Sequence, residues 1–231
     1  MPRARTLSER QTAAPNRPGG CLSGLMLPPL AVILVGILLA SFVYSLNPRV
    51  PAGGISNPEN REAGPAGLLS PLFTDEVQHW AESIVRWAAS AGLDPNLAAV
   101  VMQIESCGDP RAHSRAGAMG LFQVMPYHFA ALEDPYNPDT NATRGMAYLR
   151  RSLEAAGGNA RLALAGYNGG IGAISRGEST WSAETLRYVR YGYPIFEDAH
   201  RGAITSTALE EWYNRYGASL CRGARQRLGI P

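Results

Sequence analysis

The chain has 231 residues, 45% of them apolar and 17% charged, enough for one sizeable globular domain with appendages and too few for two. A formal charge of only +2, carried by scattered basic residues, lacks the electrostatic footprint of a nucleic-acid binder. Every basic residue is arginine, so chemistry that needs a lysine amine, such as Schiff-base or P-loop chemistry, is excluded.

No residue from Pro18 to Pro48 is charged, and Leu25 to Leu46 is apolar almost throughout. At about 1.5 Å per residue such a stretch is long enough to cross a hydrocarbon core, with Pro28 and Pro29 in a first turn that tolerates them. Arg3, Arg5, Arg10 and Arg17 precede it and only Arg49 follows closely. This asymmetry predicts a cytoplasmic segment 1–24, a transmembrane helix 25–46 and an extracytoplasmic remainder, anchored in the cell membrane by a single pass. A cleaved signal peptide is the competing reading, with Val43-Tyr44-Ser45 as a weak cleavage site.

Residues 47–70 are dense in Pro, Gly and Asn without an apolar period and read as a flexible linker. From about Pro71 onward the signals are helical, with no alternation long enough for a sheet, so the fold class is mainly α. A first helix is expected from Thr74 to Gly92, with Asp75 and Glu76 in its opening turn. A second starts with Asp94 as cap and Pro95 at the first helical position, turns Leu97, Val100, Val101 and Ile104 inward, and ends at Glu105. Others are expected from about Asn141 to Ala156, Asn159 to Asn168 and Ser182 to Tyr193. The last runs from Thr207, where Thr207-Ala208-Leu209-Glu210 reads as a capping box, to about Leu228.

Glu105 stands among Val101, Met102 and Ile104 at the C-terminal end of its helix, just before Cys107-Gly108. Desolvation and the negative end of the helix dipole both favour its protonated form. A carboxyl that keeps its proton near neutral pH can act as a general acid. Alone, the residue also reads as an ordinary solvated or capping glutamate.

Glu105-Ser106 is followed, after Ser114, by Gly117-Ala118-Met119-Gly120-Leu121-Phe122-Gln123-Val124-Met125-Pro126. Ala165-Gly166-Tyr167-Asn168-Gly169-Gly170 and Glu184-Thr185-Leu186-Arg187-Tyr188-Val189 come next, with Asn137-Pro138 and Gly145-Met146-Ala147-Tyr148-Leu149 between. In this order the blocks resemble the lysozyme-like lytic transglycosylase family, typified by the soluble lytic transglycosylase catalytic domain, from about Pro71 to about Phe196. The resemblance implies a lysozyme-like helical domain over 71–200 with a substrate cleft, leaving 201–231 as a C-terminal helical extension. It implies Glu105 as catalytic residue and substrate contacts at Ser106, Ser114, Gln123, Tyr167, Asn168 and Tyr188. Tyr167 is the candidate for orienting Glu105, Asn168 for a cleft-wall contact, and Tyr188 either borders the cleft or packs. Three positions depart from the common pattern: Phe122 stands for Met, and Gly166 and Gly170 for Ala. An apolar but stiffer cleft wall and a looser Tyr167 turn are the expected consequences.

The activity implied is cleavage of the β-1,4 bond between N-acetylmuramic acid and N-acetylglucosamine in peptidoglycan, with a 1,6-anhydro-muramyl end as product. Asp109, Glu133, Asp134 and Asp139 sit in turn-like contexts and none looks like the second carboxylate of a hydrolase. A goose-type lysozyme and a peptidoglycan-binding envelope protein without catalysis are the alternatives. No cofactor and no metal are expected, since His79, His113, His128 and His200 show no metal-ligand spacing. Trp80, Trp87, Trp181 and Trp212 are candidates for stacking on sugars, but three of them sit at helical core spacing and read as core. The expected topology leaves Cys21 at the cytoplasmic edge of the membrane helix, and Cys107 and Cys221 in an oxidising compartment. A Cys107–Cys221 disulfide is therefore expected, two buried free thiols being the alternative.

Overall fold

Pro95–Glu105, called α3 below, is the helix on which the rest is arranged, and its sequence explains why. Every residue from Leu97 to Gln103 is buried, and a helix without a polar face belongs in the interior. Asp94 caps it by accepting from Asn96 N at 2.8 Å, with Pro95 in the first turn. Its buried amide, Gln103, is fully engaged: Oε1 accepts from Thr74 N and Oγ1, each at 3.2 Å, and Nε2 points at Cys107 Sγ.

The computed structural model describes residues 69–231; the expected cytoplasmic segment 1–24, membrane helix 25–46 and all but the last two residues of the linker 47–70 lie outside the described residues. Among the described residues no helix is long and apolar enough to cross a membrane, and the only β pairings are isolated bridges, His113 to Met119 and Met119 to Val124. The domain is mainly α, as the periodicity predicts. In chain order the helices are α1 (Asp75–Gln78), α2 (Ala81–Ala91), α3, α4 (Pro138–Ala155), α5 (Ala160–Gly169), α6 (Gly172–Arg176) and α7 (Ala183–His200). α8 (Thr207–Trp212), a π-helical turn (Tyr213–Gly217) and α9 (Ala218–Leu228) complete the chain. α2 and α7 pack on α3, α4 packs on α2, and α5 joins α4 to α7, closing a ring of helices. Ile84, Leu97, Leu164 and Ile195 are fully buried within it, each contributing on the order of 1.5–3 kcal/mol of transfer free energy.

Four expectations are corrected. The folded part, expected from about Pro71, takes in Ser70, which is buried, its N–H donating to Asn96 Oδ1 and its carbonyl accepting from Gln78 Nε2. The first helix is broken at His79–Trp80 because the Trp80 indole N–H reaches away to the Gly108 carbonyl at 2.9 Å. α4 starts at Pro138 instead of Asn141, since Asn137 is its cap and accepts from Thr140 N at 3.0 Å. α7 continues through Pro194 to His200. Proline there leaves the carbonyl of Arg190 without its helical donor; Arg190 is exposed, so water can serve it, while buried Ile195 and Ala199 hold the extra turns. In the C-terminal helix the cap is Ser206, which accepts from Leu209 N, and not Thr207; the expected single helix contains the π turn.

Candidate active site

The end of α3 is anchored on all sides. Ser106, completely buried, donates its hydroxyl to the Leu121 carbonyl at 2.7 Å and accepts from Gly108 N at 3.1 Å. Cys107 follows in the left-handed region, φ 52°, an uncommon conformation for a residue with a Cβ. It is joined by a disulfide to Cys221 of α9, the Cα atoms 5.0 Å apart, within the usual span of such a bond. Arg225, one turn beyond Cys221, pairs with Glu76 at 2.6 Å and Asp75 at 2.8 Å, and Arg227 pairs with Asp109 at 2.8 Å. With the Trp80 bond to Gly108, these contacts hold the turn on which Glu105 stands.

Glu105 itself opens into a cavity of about 210 Å³ lined by Ile104, Asn168, Glu184, Arg187, Tyr188, Trp212 and Tyr216. Burial among these groups and the core beneath raises its pKa from an ordinary 4.5 to about 8. The Tyr188 hydroxyl opposes the rise and the charge of Glu184 adds to it. The Tyr188 hydroxyl is buried and has no hydrogen bond of full geometry to any described group, although it stands close enough to act on the Glu105 carboxyl. The Glu105 carboxyl is thus the group this hydroxyl acts on. Burial holds the phenols of Tyr188 and Tyr167 well above the usual tyrosine value, and Glu105 adds to both shifts.

A second cavity, about 140 Å³, shares Asn168 with the first and is lined by Gln123, Tyr127, His128, Tyr148 and Tyr167 among others. Its rings form a row: Tyr167 to Tyr148 with centroids 5.5 Å apart, Tyr148 to His128 5.0 Å, and His128 to Tyr127 4.5 Å. Burial and the nearby Arg151 charge lower the pKa of His128, which favours its neutral form. Apolar ring surface with polar tips suits the mixed faces of a saccharide. The two cavities meet at Asn168, whose Oδ1 accepts from Thr185 Oγ1 at 2.9 Å.

The structure sorts the residues expected from sequence. Glu105, Asn168 and Tyr188 share the first cavity; Gln123, Tyr167 and Asn168 line the second. Gln123, at φ 45°, directs its amide N–H to the carbonyls of Ala112 and Gly120. Ser106 is corrected to a positioning role, since its buried hydroxyl meets only backbone. Ser114 accepts from Ala118 N at 3.0 Å and does not line either of these two cavities. The Tyr167 hydroxyl donates to the Phe122 carbonyl at 2.7 Å, and the hydroxyl that acts on the acid is that of Tyr188.

Phe122 is fully buried and is core instead of cleft wall. Gly166 does not loosen the Tyr167 turn. It lies inside α5, and a Cβ there would come within 2.6 Å of the Ile174 side chain, so its small size lets α6 pack. Gly120, φ 75°, similarly makes room for Asn141, which pins the loop by accepting from Phe122 N and donating to the carbonyls of Met119 and Pro135. The acids read as turn residues are so engaged: Asp109 with Arg227, Glu133 with Arg144, Asp134 with Tyr136 N, and Asp139 with Trp87 Nε1 at 2.7 Å.

Sequence reading missed Glu184, Arg187 and Tyr216 in the first cavity, and Tyr127, His128 and Tyr148 in the second. The spacing of Glu184 and Tyr188, four apart on one helix face, was a usable signal. Trp212, read as core, is almost fully buried yet also walls the first cavity.

A helical ring thus floors a cleft with one desolvated carboxyl and walls it with tyrosines and amides, the fold and site of a helical domain built around a buried acid. Residues 82–185 match the Transglycosylase SLT domain, and over this stretch the chain resembles the lysozyme-like lytic transglycosylase family. It is 40% identical over 111 residues to the transglycosylase of Enterobacteria phage PRD1, covering 47% of this chain and 40% of the phage protein. It is 26% identical to the soluble lytic murein transglycosylase of Escherichia coli K12 over 57% of this chain and 22% of that one. The membrane-bound lytic murein transglycosylase C of Photorhabdus laumondii is 30% identical over 47% of this chain and 36% of its own length. The chain thus spans less than half the length of each of these relatives.

Proposed function

We propose that the chain is a peptidoglycan lytic transglycosylase, a carbon–oxygen lyase that cleaves the β-1,4 bond between N-acetylmuramic acid and N-acetylglucosamine and leaves a 1,6-anhydro-muramyl end. The observation that carries this is Glu105, a carboxyl with a pKa near 8 on the floor of a groove. Protonated at neutral pH, it donates its proton to the glycosidic oxygen, and the N-acetylglucosamine leaves. The resulting carboxylate accepts the proton of the muramyl C6 hydroxyl, whose oxygen bonds to C1. The Tyr188 hydroxyl steadies the carboxylate between the two steps, and the Tyr167–Tyr148–His128 row receives sugar rings on the adjoining side.

One observation favours the hydrolytic reading. Glu184 lines the same cavity as Glu105 and supplies a second carboxylate, as a water-activating mechanism requires. Mass spectrometry of fragments released from purified sacculi separates the two, because an anhydro end is one water lighter than a reducing end. Only reducing ends would make the chain a hydrolase; no fragments at all would make it a binding protein.

The same reading places the folded domain outside the cytoplasm, tethered through residues 25–46 with residues 1–24 inside, and gives it peptidoglycan as partner. Residues 71–200 form its transglycosylase domain, and residues 201–231 an extension stapled to it by Cys107–Cys221. A reporter enzyme active only outside the cytoplasm should work when fused after Gly67 and fail when fused before Leu22. The reverse pattern would leave the enzyme without access to its substrate.

A further inference from the structure

The first cavity has one wall that the matched family region, residues 82–185, does not supply. Its outer part is made by Arg187 of α7 together with Trp212 and Tyr216 from the C-terminal segment. Tyr216 lies in the π turn Tyr213–Gly217, where Gly217 leaves space for the Trp212 ring; π turns within helices occur often at functional sites. Trp212 is nearly fully buried, while Tyr216 is 48% exposed, a large aromatic left open at the edge of a cleft.

The Arg187 guanidinium lies 5.3 Å from the Tyr216 ring centroid, and the Tyr216 ring meets Tyr191 edge-on at 5.8 Å. Stacking restricts the guanidinium without using its N–H groups. Among the described residues neither Arg187 nor Glu184, three positions earlier, takes part in a salt bridge. The cavity therefore presents a planar, unpaired cation and an unpaired acceptor within one face of a helix, next to the acid.

We propose that Arg187 and Tyr216 form a specificity subsite for a carboxylate-bearing substituent of the glycan, the guanidinium clasping the carboxylate in bidentate fashion while Glu184 accepts a neighbouring amide N–H. The proposal rests on the glycan reading above and adds a preference for anionic, N-acylated strands over neutral ones. Two sources carry this chemistry: the lactyl carboxylate of a muramyl residue without a peptide, and a carboxylate of the stem peptide.

The test uses the full-length protein in detergent with Glu105→Gln, so that no ligand is cleaved. Calorimetric binding is compared for three tetrasaccharides: neutral chitotetraose, peptide-free N-acetylglucosamine–muramic acid tetrasaccharide, and the same glycan with stem peptides. Arg187→Ala and Tyr216→Leu should each weaken an anionic ligand roughly tenfold, the worth of a charge-assisted hydrogen bond, and leave chitotetraose unchanged. Arg187→Lys should restore only part of the loss, since an ammonium lacks the fork, and it guards against a truncation that disturbs packing.

Dependence on Arg187 in the peptide-free arm identifies the lactyl group; dependence in the peptide arm alone identifies the stem. Equal loss on neutral and anionic ligands, full recovery with lysine, or no anionic preference in the parent overturns the subsite. Failure of the parent enzyme to release fragments from sacculi, with Arg187-dependent binding intact, would remove the transglycosylase reading and leave the subsite standing.

Discussion

The turn that ends α3 and the wall of α7 facing it handle their polar groups in opposite ways. In the turn, the Ser106 hydroxyl, the Gly108 N–H and carbonyl, and both cysteine sulfurs are all engaged. Across the cavity the Tyr188 hydroxyl lacks a partner of full geometry, and Glu184 and Arg187 make no salt bridge among the described residues. Saturated groups fix a position; unsaturated ones wait for a ligand. Glu105 sits at the boundary, held rigidly by one region and tuned electrostatically by the other.

The comparison breaks most visibly at Glu105 itself. Glu105→Gln should abolish release of muropeptides from sacculi, and a variant with substantial remaining activity would remove Glu105 from the chemistry. Its effect on stability should be opposite in sign and dependent on pH. The folded-state pKa near 8 lies above the unfolded value, so the native state holds a proton that the unfolded chain releases. The parent therefore has the full contribution below about pH 4.5 and loses it progressively as pH rises toward about 8. Thermal melts should show Glu105→Gln gaining most at pH 8, by about 2–4 °C for each kcal/mol of relief, and nothing near pH 4. Activity of the parent should fall as pH rises through about 8, where the acid loses its proton.

On the saturated side, Cys221→Ser tests whether the turn depends on its staple. The bond links residues 114 apart, for which chain entropy gives roughly 4 to 5 kcal/mol before native strain and denatured-state structure reduce it. Melting should occur several degrees lower, and activity should fail at a lower temperature than in the parent. An unchanged melting temperature would mean that the Arg225 and Arg227 pairs hold α9 unaided. Trp80→Phe removes a single hydrogen bond to Gly108 while keeping most of the ring, and should cost about 1 kcal/mol in denaturant titration.

The smallest effects come from the unsaturated side and should have opposite signs. Tyr188→Phe deletes a hydroxyl that favours the charged carboxylate, so the alkaline limb of the pH–activity profile should move up. Glu184→Gln deletes a charge that disfavours it, so that limb should move down. Both variants moving it the same way would contradict the assignment of the two neighbours.

What could be read from sequence follows the range of the interaction. The cap at Asp94 and the helix starts at Asn159 and Ser182 were legible because each of these side chains bonds an N–H two or three residues ahead. The desolvation of Glu105 was legible because its neighbours within the helix are apolar. Trp80, by contrast, breaks its helix for a carbonyl 28 residues away, and the hydroxyl of Tyr167 finds one 45 residues back; neither partner leaves a mark in local spacing. The role of Tyr216 was hidden for the same reason, since it depends on how the last helices fold back onto α7. Gly166 and Phe122 were misread as cleft features because a family block records which residues occur together without saying which face they take.

The Cys107–Cys221 bond also imposes an order of events. A ribosome that has just finished Glu105 and Cys107 must add more than a hundred further residues before the partner sulfur exists. Until then the turn carrying the acid lacks its clasp, and the segment bearing Trp212 and Tyr216 has yet to close the cavity. In a reducing cytosol the clasp would stay open even on a finished chain. Before that oxidation the turn carrying Glu105 and the helix bearing Cys221 are joined only by non-covalent contacts, the Arg225 and Arg227 ion pairs among them.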